Sequence, residues 1–263
     1  LMNQLMKDPE IRCKFEFWTY EYPTGAPIPY LALHLREDIE TMQKFRRSRG
    51  ATCSDVIMIG HSMGGLMSKT LTQRSGDAQW NRFFELPVDQ LDVPNEEREL
   101  LKKMFYFEPV PCVKRVIFTA TPHSGADAVD RSFVRIAEQF IQTPRILVGA
   151  TRNILHQSAH ALTPLGVEIS HDFPNSIEHM RYGSEMGDIF ADIPLNSRVK
   201  YHSLMGSKKG LDVPKDEMTD GIVSYNSAHI DGVESEKIIA SDHGVQRNPA
   251  GIAEIARILK SAR

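Results

Sequence analysis

Two hydrophobic periodicities alternate along the chain. Short runs rich in apolar and β-branched residues are typical of strands buried in a sheet. Such runs predict strands at residues 56–59, 113–119, 199–205 and 236–240. The aromatic segment 14–20 predicts one more strand, which ends at a turn formed by Pro23, Thr24 and Gly25.

Between these runs, apolar residues recur every three or four positions, as they do on one face of a helix. The clearest example covers residues 29–49, and Gly50 closes it. Another helix begins at Asn95, which we expect to cap it, and a last one opens at Asn248 and Pro249. The remaining predicted helices cover residues 1–6, 63–73, 133–141 and 145–155.

Alternating strands and helices predict an α/β fold with a mostly parallel sheet and helices on both faces. At 263 residues the chain suits a single domain, so we take residues 1–263 as one domain. We expect an inserted cap or lid at roughly residues 120–198. In such sheets function collects at the carboxyl ends of the strands. The candidates that follow predicted strand ends are Ser62, His123, Asp220 and His243.

The segment Gly60-His61-Ser62-Met63-Gly64 follows the first buried strand and precedes a helix. A G-x-S-x-G sequence in this context is typical of a nucleophile elbow, a turn so tight that its serine has strained backbone angles. We expect side chains at positions 60 and 64 to collide with the neighbouring strand and helix. The motif therefore predicts Ser62 as a nucleophile. The backbone N–H of Met63 would stabilise an oxyanion at the helix N-terminus.

A serine hydroxyl needs a base to take its proton, and on this fold the chain order is serine, acid, histidine. His243 is the favoured base because its loop lies between the last predicted strand and the last helix. His202 lies inside a predicted strand, and His229 lies one connection too early. His61 is the immediate neighbour of Ser62, so its ring cannot reach that hydroxyl.

The acid is expected after the strand at 199–205, where Asp212, Asp216 and Asp220 all qualify by position. Asp220 is favoured because it enters a tight turn with Gly221 before an apolar stretch, where a carboxylate is held rigidly. Asp212 and Asp216 lie in a polar loop that is typical of solvated surface. Asp242 adjoins His243 and would point away from it.

Composition excludes several other classes of function. The net charge of −3 gives no indication of nucleic-acid binding. Cys13, Cys53 and Cys112 are too widely spaced for a disulfide framework or a zinc site, and no apolar run approaches the roughly 18 residues of a membrane span. His156 and His160 have the spacing of metal ligands on a helix, but no third ligand accompanies them. We therefore predict no metal site.

The chain resembles the bacterial lipase/esterase-like α/β-hydrolases over most of its length. The resemblance rests on an ordered set of segments: FWTYEYPTG (17–25), GHSMGG (60–65), FTATPHSG (118–125), DGIV (220–223) with SAH (227–229), and SDH (241–243) ahead of NP (248–249). It implies an α/β-hydrolase fold in which Ser62 is the nucleophile, Asp220 the acid, His243 the base and Met63 an oxyanion donor. We also assign His61 and His123, which lie in the second and third of these segments, to substrate binding.

The front of the chain departs from this family. Such hydrolases carry a His-Gly segment after an earlier strand, which supplies a second oxyanion N–H, and nothing before residue 14 contains one. The chain also begins at Leu1 without an initiator methionine or a signal peptide. We expect the segment and the first strands of the sheet to precede Leu1 in a longer protein. Their true absence would cost about 3 kcal/mol of transition-state stabilisation.

The predicted activity is therefore hydrolysis of a small-molecule or lipid ester, as in an esterase or lipase, without a cofactor and without a nucleic-acid partner. Thioesterases, phospholipases and acyltransferases use the same triad, and a non-catalytic binding protein is the alternative from a different class. The apolar helices of the insertion are compatible with a mobile lid over a lipid-binding cleft or with a fixed cap. Peripheral contact with a lipid interface and an exported or envelope location rest on the resemblance alone.

Overall fold

The computed structural model describes residues 1–23, 26–52, 55–124, 145–171 and 193–262, with the backbone alone for 168–171. Within these ranges four strands form one parallel sheet, whose spatial order is the order of the chain. The strands are β1 (Val56–His61), β2 (Val113–Thr119), β3 (Lys200–Gly206) and β4 (Ser235–Ile239). All four were predicted to within two residues. Because each pair is parallel, the segments that follow the strands meet at one edge of the sheet.

Helices surround the sheet. Those described are α1 (Met2–Leu5), α2 (Pro9–Lys14), α3 (Ile28–Ser48), α4 (Met63–Thr70), α5 (Trp80–Phe83), α6 (Asn95–Phe105), α7 (Arg145–Gln157), α8 (Pro164–His171), α9 (Tyr225–Ala228) and α10 (Pro249–Ser261). Short 3-10 helices lie at Val88–Gln90, Ala159–Ala161, Lys215–Glu217 and Val245–Arg247. None of the described helices is long and apolar enough to cross a membrane.

Side chains of the sheet alternate between two apolar cores. Val116 and Phe118 of β2 pack into the larger core, which α3, α4, α6 and α7 complete. Ile117 points to the other side and packs with Ile255 and Ile258 of α10. Both faces of the parallel sheet are therefore covered by helices, which confirms the predicted α/β fold with a mostly parallel sheet.

The predicted strand at residues 14–20 is wrong. Its first residue belongs to α2, which Asp8 caps by accepting the N–H groups of Glu10 and Ile11. The segment that follows α2 belongs to no strand of the described sheet. Four of its aromatic residues pack, partly buried, against the two cores, Phe15 and Phe17 against the smaller one and Tyr20 and Tyr22 against the larger, while Trp18 is exposed. Burial of aromatic rings, not strand pairing, accounts for the strand-like pattern.

Two helix ends also differ from expectation. α4 ends at Thr70 rather than near residue 73. The N–H groups of Thr72 and Gln73 donate to carbonyls three residues back, and the hydroxyls of Thr70 and Thr72 donate to carbonyls at the same spacing, which competes with the helical pattern. α6 starts at Asn95 itself, so the expected Asn95 cap is wrong; its side-chain oxygen instead accepts from Arg98 at 2.7 Å. The Asn248 cap of α10 is confirmed, since its Oδ1 accepts the Ala250 N–H at 2.9 Å.

The inserted region is described only in part. The predicted helix at 145–155 is present as α7, and the unpredicted α8 follows it. The predicted helix at 133–141 lies outside the described residues, as do large parts of the expected cap at 120–198. The single-domain assignment and the choice between a lid and a cap therefore stay predictions.

Candidate active site

Ser62 occupies the sharp turn between β1 and α4. Its φ of 52° lies in the left-handed region, where a residue with a side chain is strained. The turn is tied to the sheet because the Ser62 N–H donates to the carbonyl of Thr119 on β2 at 2.9 Å. It is tied to α4 because the Gly65 N–H donates to the Ser62 carbonyl at 2.9 Å. The serine therefore stands in a fixed and strained position at the edge where the strands end.

The glycines near Ser62 differ in how much space there is for a side chain. A Cβ at Gly60 would lie 2.5 Å from the Cα of Gly65, and a Cβ at Gly65 would overlap the side chain of Thr121. At Gly64 the nearest atom would be the Tyr22 hydroxyl at 3.8 Å, an ordinary contact. The expected collision is thus correct for Gly60 and wrong for Gly64, because α4 turns residue 65, not residue 64, toward the end of β2.

Met63 is the first residue of α4 and is buried. Its N–H belongs to the first turn of a helix, where the free backbone N–H groups and the helix dipole favour negative charge. An anion next to Ser62 would therefore meet a favourable field from α4. The role of Met63 as an oxyanion donor stays a prediction.

Asp220 lies at the start of the turn that joins the region after β3 to α9, and it is 1% exposed. Its Oδ1 accepts the N–H groups of Ile222 at 2.9 Å and Val223 at 2.8 Å. Gly221, with a φ of 96°, allows the backbone to fold back around the carboxylate. These contacts orient the other oxygen, Oδ2, toward His243.

His243 follows β4, and its Nδ1 lies 2.8 Å from Asp220 Oδ2. A carboxylate only accepts, so Nδ1 carries a hydrogen and donates it to Asp220. Within the same loop, Asp242 accepts the Gly244 N–H at 2.8 Å. Asp242 thus shapes the loop, while Asp220, the carboxylate favoured from the sequence, is the one that contacts the imidazole of His243.

His61 joins the serine turn to the histidine loop. Its Nε2 lies 2.8 Å from the main-chain oxygen of His243, although 182 residues separate the two. The ring centroids of His61 and His243 are 4.8 Å apart. Burial lowers the pKa of His61 to about 4, so the ring is neutral at physiological pH. The structure thus brings His243 next to the residue that immediately precedes Ser62.

His123 is buried at the end of β2, 2% exposed. Its main-chain N–H donates to the Ser227 carbonyl at 2.8 Å, and its ring meets Phe118 edge to face. Neither ring nitrogen has a hydrogen-bond partner among the described residues. Burial, with nearby Lys69, holds the pKa of His123 well below its usual range. The ring is therefore neutral and enclosed, and its assignment to substrate binding stays a prediction, as does that of His61.

The rival residues lie elsewhere. His202 is buried in β3, where its Nε2 contacts the Arg115 guanidinium and its Nδ1 lies 2.7 Å from Ser235 Oγ. His229 is exposed and pairs with Glu236 instead of a residue at the strand edge. Asp212 and Asp216 are exposed, as expected for a polar loop on the surface. His156 and His160 are exposed too, and no cluster of three metal-binding side chains occurs in the described part of the chain.

Sequence reasoning overlooked Gly206, the last residue of β3. A Cβ there would come within 2.9 Å of Asp220 and of two carbonyl oxygens in the His243 loop. The only signal in the sequence is a glycine at the end of a predicted strand, which does not reveal what approaches it.

Taken together, the described residues gather these polar groups where the strands end. The buried Asp220 carboxylate contacts the imidazole of His243, that ring contacts the ring of His61, and His61 immediately precedes the strained Ser62 at a helix N-terminus. Groups of this kind are suited to removing a proton from a hydroxyl and to stabilising negative charge close by.

No protein-family model matches the chain, and no curated protein matches it. Among solved structures, the chain is similar to the mature form of Bacillus licheniformis lipase BlEst2, with a TM-score of 0.44 and 15% identity over 88% of this chain and 73% of that one. It is also similar to a lipase-esterase related protein from Clostridium acetobutylicum, with a TM-score of 0.36 and 13% identity over 94% of this chain and 79% of that one. At such low identity and TM-score, these likenesses carry no information on activity.

Proposed function

We propose that the chain is a serine hydrolase that cleaves carboxylic esters through an acyl-enzyme intermediate. The observation that carries the proposal is the 2.8 Å contact between the buried Asp220 carboxylate and His243. It occurs at the sheet edge that also holds Ser62 in its strained turn. A non-catalytic binding protein would have no need of a buried carboxylate that contacts a histidine at this end of the sheet.

The proposed reaction uses His243 twice. Its Nε2 accepts the proton of the Ser62 hydroxyl while Ser62 Oγ attacks the acyl carbonyl. The resulting imidazolium gives that proton to the leaving alcohol, and Ser62 keeps the acyl group. A water molecule then loses a proton to the same nitrogen, attacks the acyl carbon and releases the acid, which restores the Ser62 hydroxyl.

Asp220 and Met63 stabilise the charges that develop in this scheme. Asp220 holds the Nδ1–H tautomer of His243 and stabilises the imidazolium that forms in each step. The Met63 N–H, at the N-terminus of α4, faces the negative charge that develops on the carbonyl oxygen. Neither step needs a metal or a cofactor. The substrate is proposed to be a small-molecule or lipid ester, and a lipid substrate would bring the chain into peripheral contact with a lipid interface.

The first test is covalent labelling with a fluorophosphonate probe, which reacts with activated serines. We expect the native chain to be labelled, and labelling to be lost in Ser62→Ala and His243→Ala. The matched control is His229→Ala, because His229 also contacts a carboxylate, Glu236, but is exposed and has no role in the proposed reaction. Labelling that persists in Ser62→Ala, or that is lost equally in His229→Ala, would contradict the assignment.

A series of p-nitrophenyl esters then defines the substrate class. Turnover confined to short acyl chains identifies an esterase, and turnover that rises with chain length identifies a lipase. A native chain that is neither labelled nor active on any ester of the series would support a binding protein instead.

A further inference from the structure

His243 is fixed at two points, and only one of them belongs to the proposed triad. Its ring is fixed by Asp220 at Nδ1, and its main-chain carbonyl is fixed by His61 Nε2, each at 2.8 Å. A carbonyl oxygen only accepts, so Nε2 of His61 carries the hydrogen and donates it. The backbone and the side chain of His243 are thus held by different elements, the last residue of β1 and the turn after β3 that contains Asp220.

The His61 contact has a geometric consequence that Asp220 cannot supply. A hydrogen bond at Nδ1 permits the imidazole to swing about that contact if the backbone of residue 243 moves. Tying the main-chain oxygen to β1 removes that movement and sets how far the ring stands from the turn that carries Ser62. The rings of His61 and His243 also touch, with centroids 4.8 Å apart and planes inclined by 57°, which restricts rotation of the His243 ring.

His61 is suited to this place by its charge as well. Burial lowers its pKa to about 4, and the nearby Arg247 contributes in the same direction. The ring therefore stays neutral while His243 becomes an imidazolium in the proposed reaction. A lysine or arginine at position 61 would offer the same hydrogen bond but would place a positive charge against that imidazolium.

We propose that His61 is a positioning residue that sets the location of the base His243 relative to Ser62 through its hydrogen bond to the His243 carbonyl. The proposal rests on the proposed function, since it assumes that His243 is the base. It differs from the substrate-binding role expected from the sequence, because the polar atom of His61 is directed at the protein main chain.

The test compares two unbranched substitutions of similar length, His61→Gln and His61→Met. Glutamine keeps an N–H donor and methionine does not. We expect kcat for a p-nitrophenyl ester to fall about tenfold in His61→Met with KM unchanged, because the base His243 is then less well positioned against Ser62. His61→Gln should retain at least half of the wild-type kcat. The control is His34→Met, on the exposed side chain of a histidine in α3.

A readout that does not depend on turnover separates this proposal from the proposed function. We expect amide hydrogen exchange in the loop 241–247 to be about tenfold faster in His61→Met than in wild type, and unchanged in His61→Gln. Wild-type kcat and exchange in His61→Met would overturn the positioning role while leaving the hydrolase assignment intact. Should His61→Met fail to fold, a folded His61→Gln with a tenfold loss of kcat or faster loop exchange would overturn it equally.

Discussion

Gly206 lies against Asp220, so that a Cβ at position 206 would come 2.8 Å from the Asp220 Cβ. The same Cβ would meet the carbonyl oxygens of Ser241 at 2.9 Å and Asp242 at 2.8 Å. The turn that contains Asp220 and the loop that contains His243 therefore both pack against the end of β3. The contact between Asp220 and His243 depends on a residue that has no side chain.

Gly206→Ala is expected to push these two segments apart. Overpacking of this kind costs about 1–3 kcal/mol of stability, and displacement of the base should lower kcat by at least about tenfold. Urea unfolding and ester turnover measure the two effects. Gly210→Ala is the control, because Gly210 has a φ of 87° but no atom near its absent Cβ. It should lose stability without losing kcat, and an equally active Gly206→Ala would refute the steric explanation.

The two glycines after Ser62 should respond differently to alanine. Gly65→Ala forces the new methyl group into Thr121 and should destabilise the fold and abolish labelling by a fluorophosphonate. Gly64→Ala meets only the Tyr22 hydroxyl at 3.8 Å and should fold with unchanged or slightly higher stability, since alanine favours a helix. Thermal unfolding of both variants measures the difference. Equal stability of the two variants would show that the contact with Thr121 does not distinguish Gly65 from Gly64.

Asp220→Asn is expected to lower kcat by about 10³- to 10⁴-fold with little change in KM. The amide keeps an oxygen for the N–H groups of Ile222 and Val223, but its NH₂ group then faces Nδ1 of His243 and favours the wrong tautomer. Steady-state kinetics on one ester give the result. Asp212→Asn, on an exposed carboxylate, should be indistinguishable from wild type, and a fully active Asp220→Asn would exclude Asp220 as the acid.

Acidification should destabilise the fold below about pH 6.5. Burial lowers the pKa of His61 and of His202 from 6.5 to about 4, with Arg115 adding to the effect at His202. Between these values the unfolded chain binds more protons than the native state, so stability falls as the pH falls, by at most about 1.4 kcal/mol per pH unit for each histidine. Urea midpoints at pH 7 and pH 5 measure the slope.

The contribution of His202 can be isolated in the same experiment. His202→Gln removes one titrating group and should make stability less dependent on pH between pH 7 and pH 5. The control His160→Gln, on an exposed ring, should leave the dependence unchanged. An unaltered slope in His202→Gln would show that this histidine titrates alike in the folded and unfolded states.

Local patterns were enough to predict the strands of the sheet and the segments that follow them. The strand at 14–20 failed because burial of aromatic rings and pairing in a ladder produce the same alternation. The cap at Asn95 failed because a preceding proline, Pro94, takes the cap position. Asp220 rather than Asp242 contacts the ring of His243, while Asp242 accepts a main-chain N–H of its own loop, and the role of Asp220 as the acid stays a prediction.

The contacts that define the candidate site lay beyond sequence reasoning for a different reason. Gly65 against Thr121 and Gly206 against Asp220 are approaches between segments distant in the chain, and nothing local signals them. The same holds for the hydrogen bond from His61 to the main chain of His243, because a backbone carbonyl has no sequence signature. Packing between elements, rather than the pattern within them, decides these positions.

The bond from His61 to His243 joins residues 182 positions apart, one at the end of β1 and the other in the loop after β4, the first and last strands of the described sheet. Closing a loop of that length is entropically costly, so partly folded chains lacking β4 would not form it. For a hydrolase of the proposed kind, labelling of Ser62 then reports whether the whole sheet is folded. The denaturant concentration at which labelling disappears should coincide with the loss of the whole sheet, not with the melting of α4 alone.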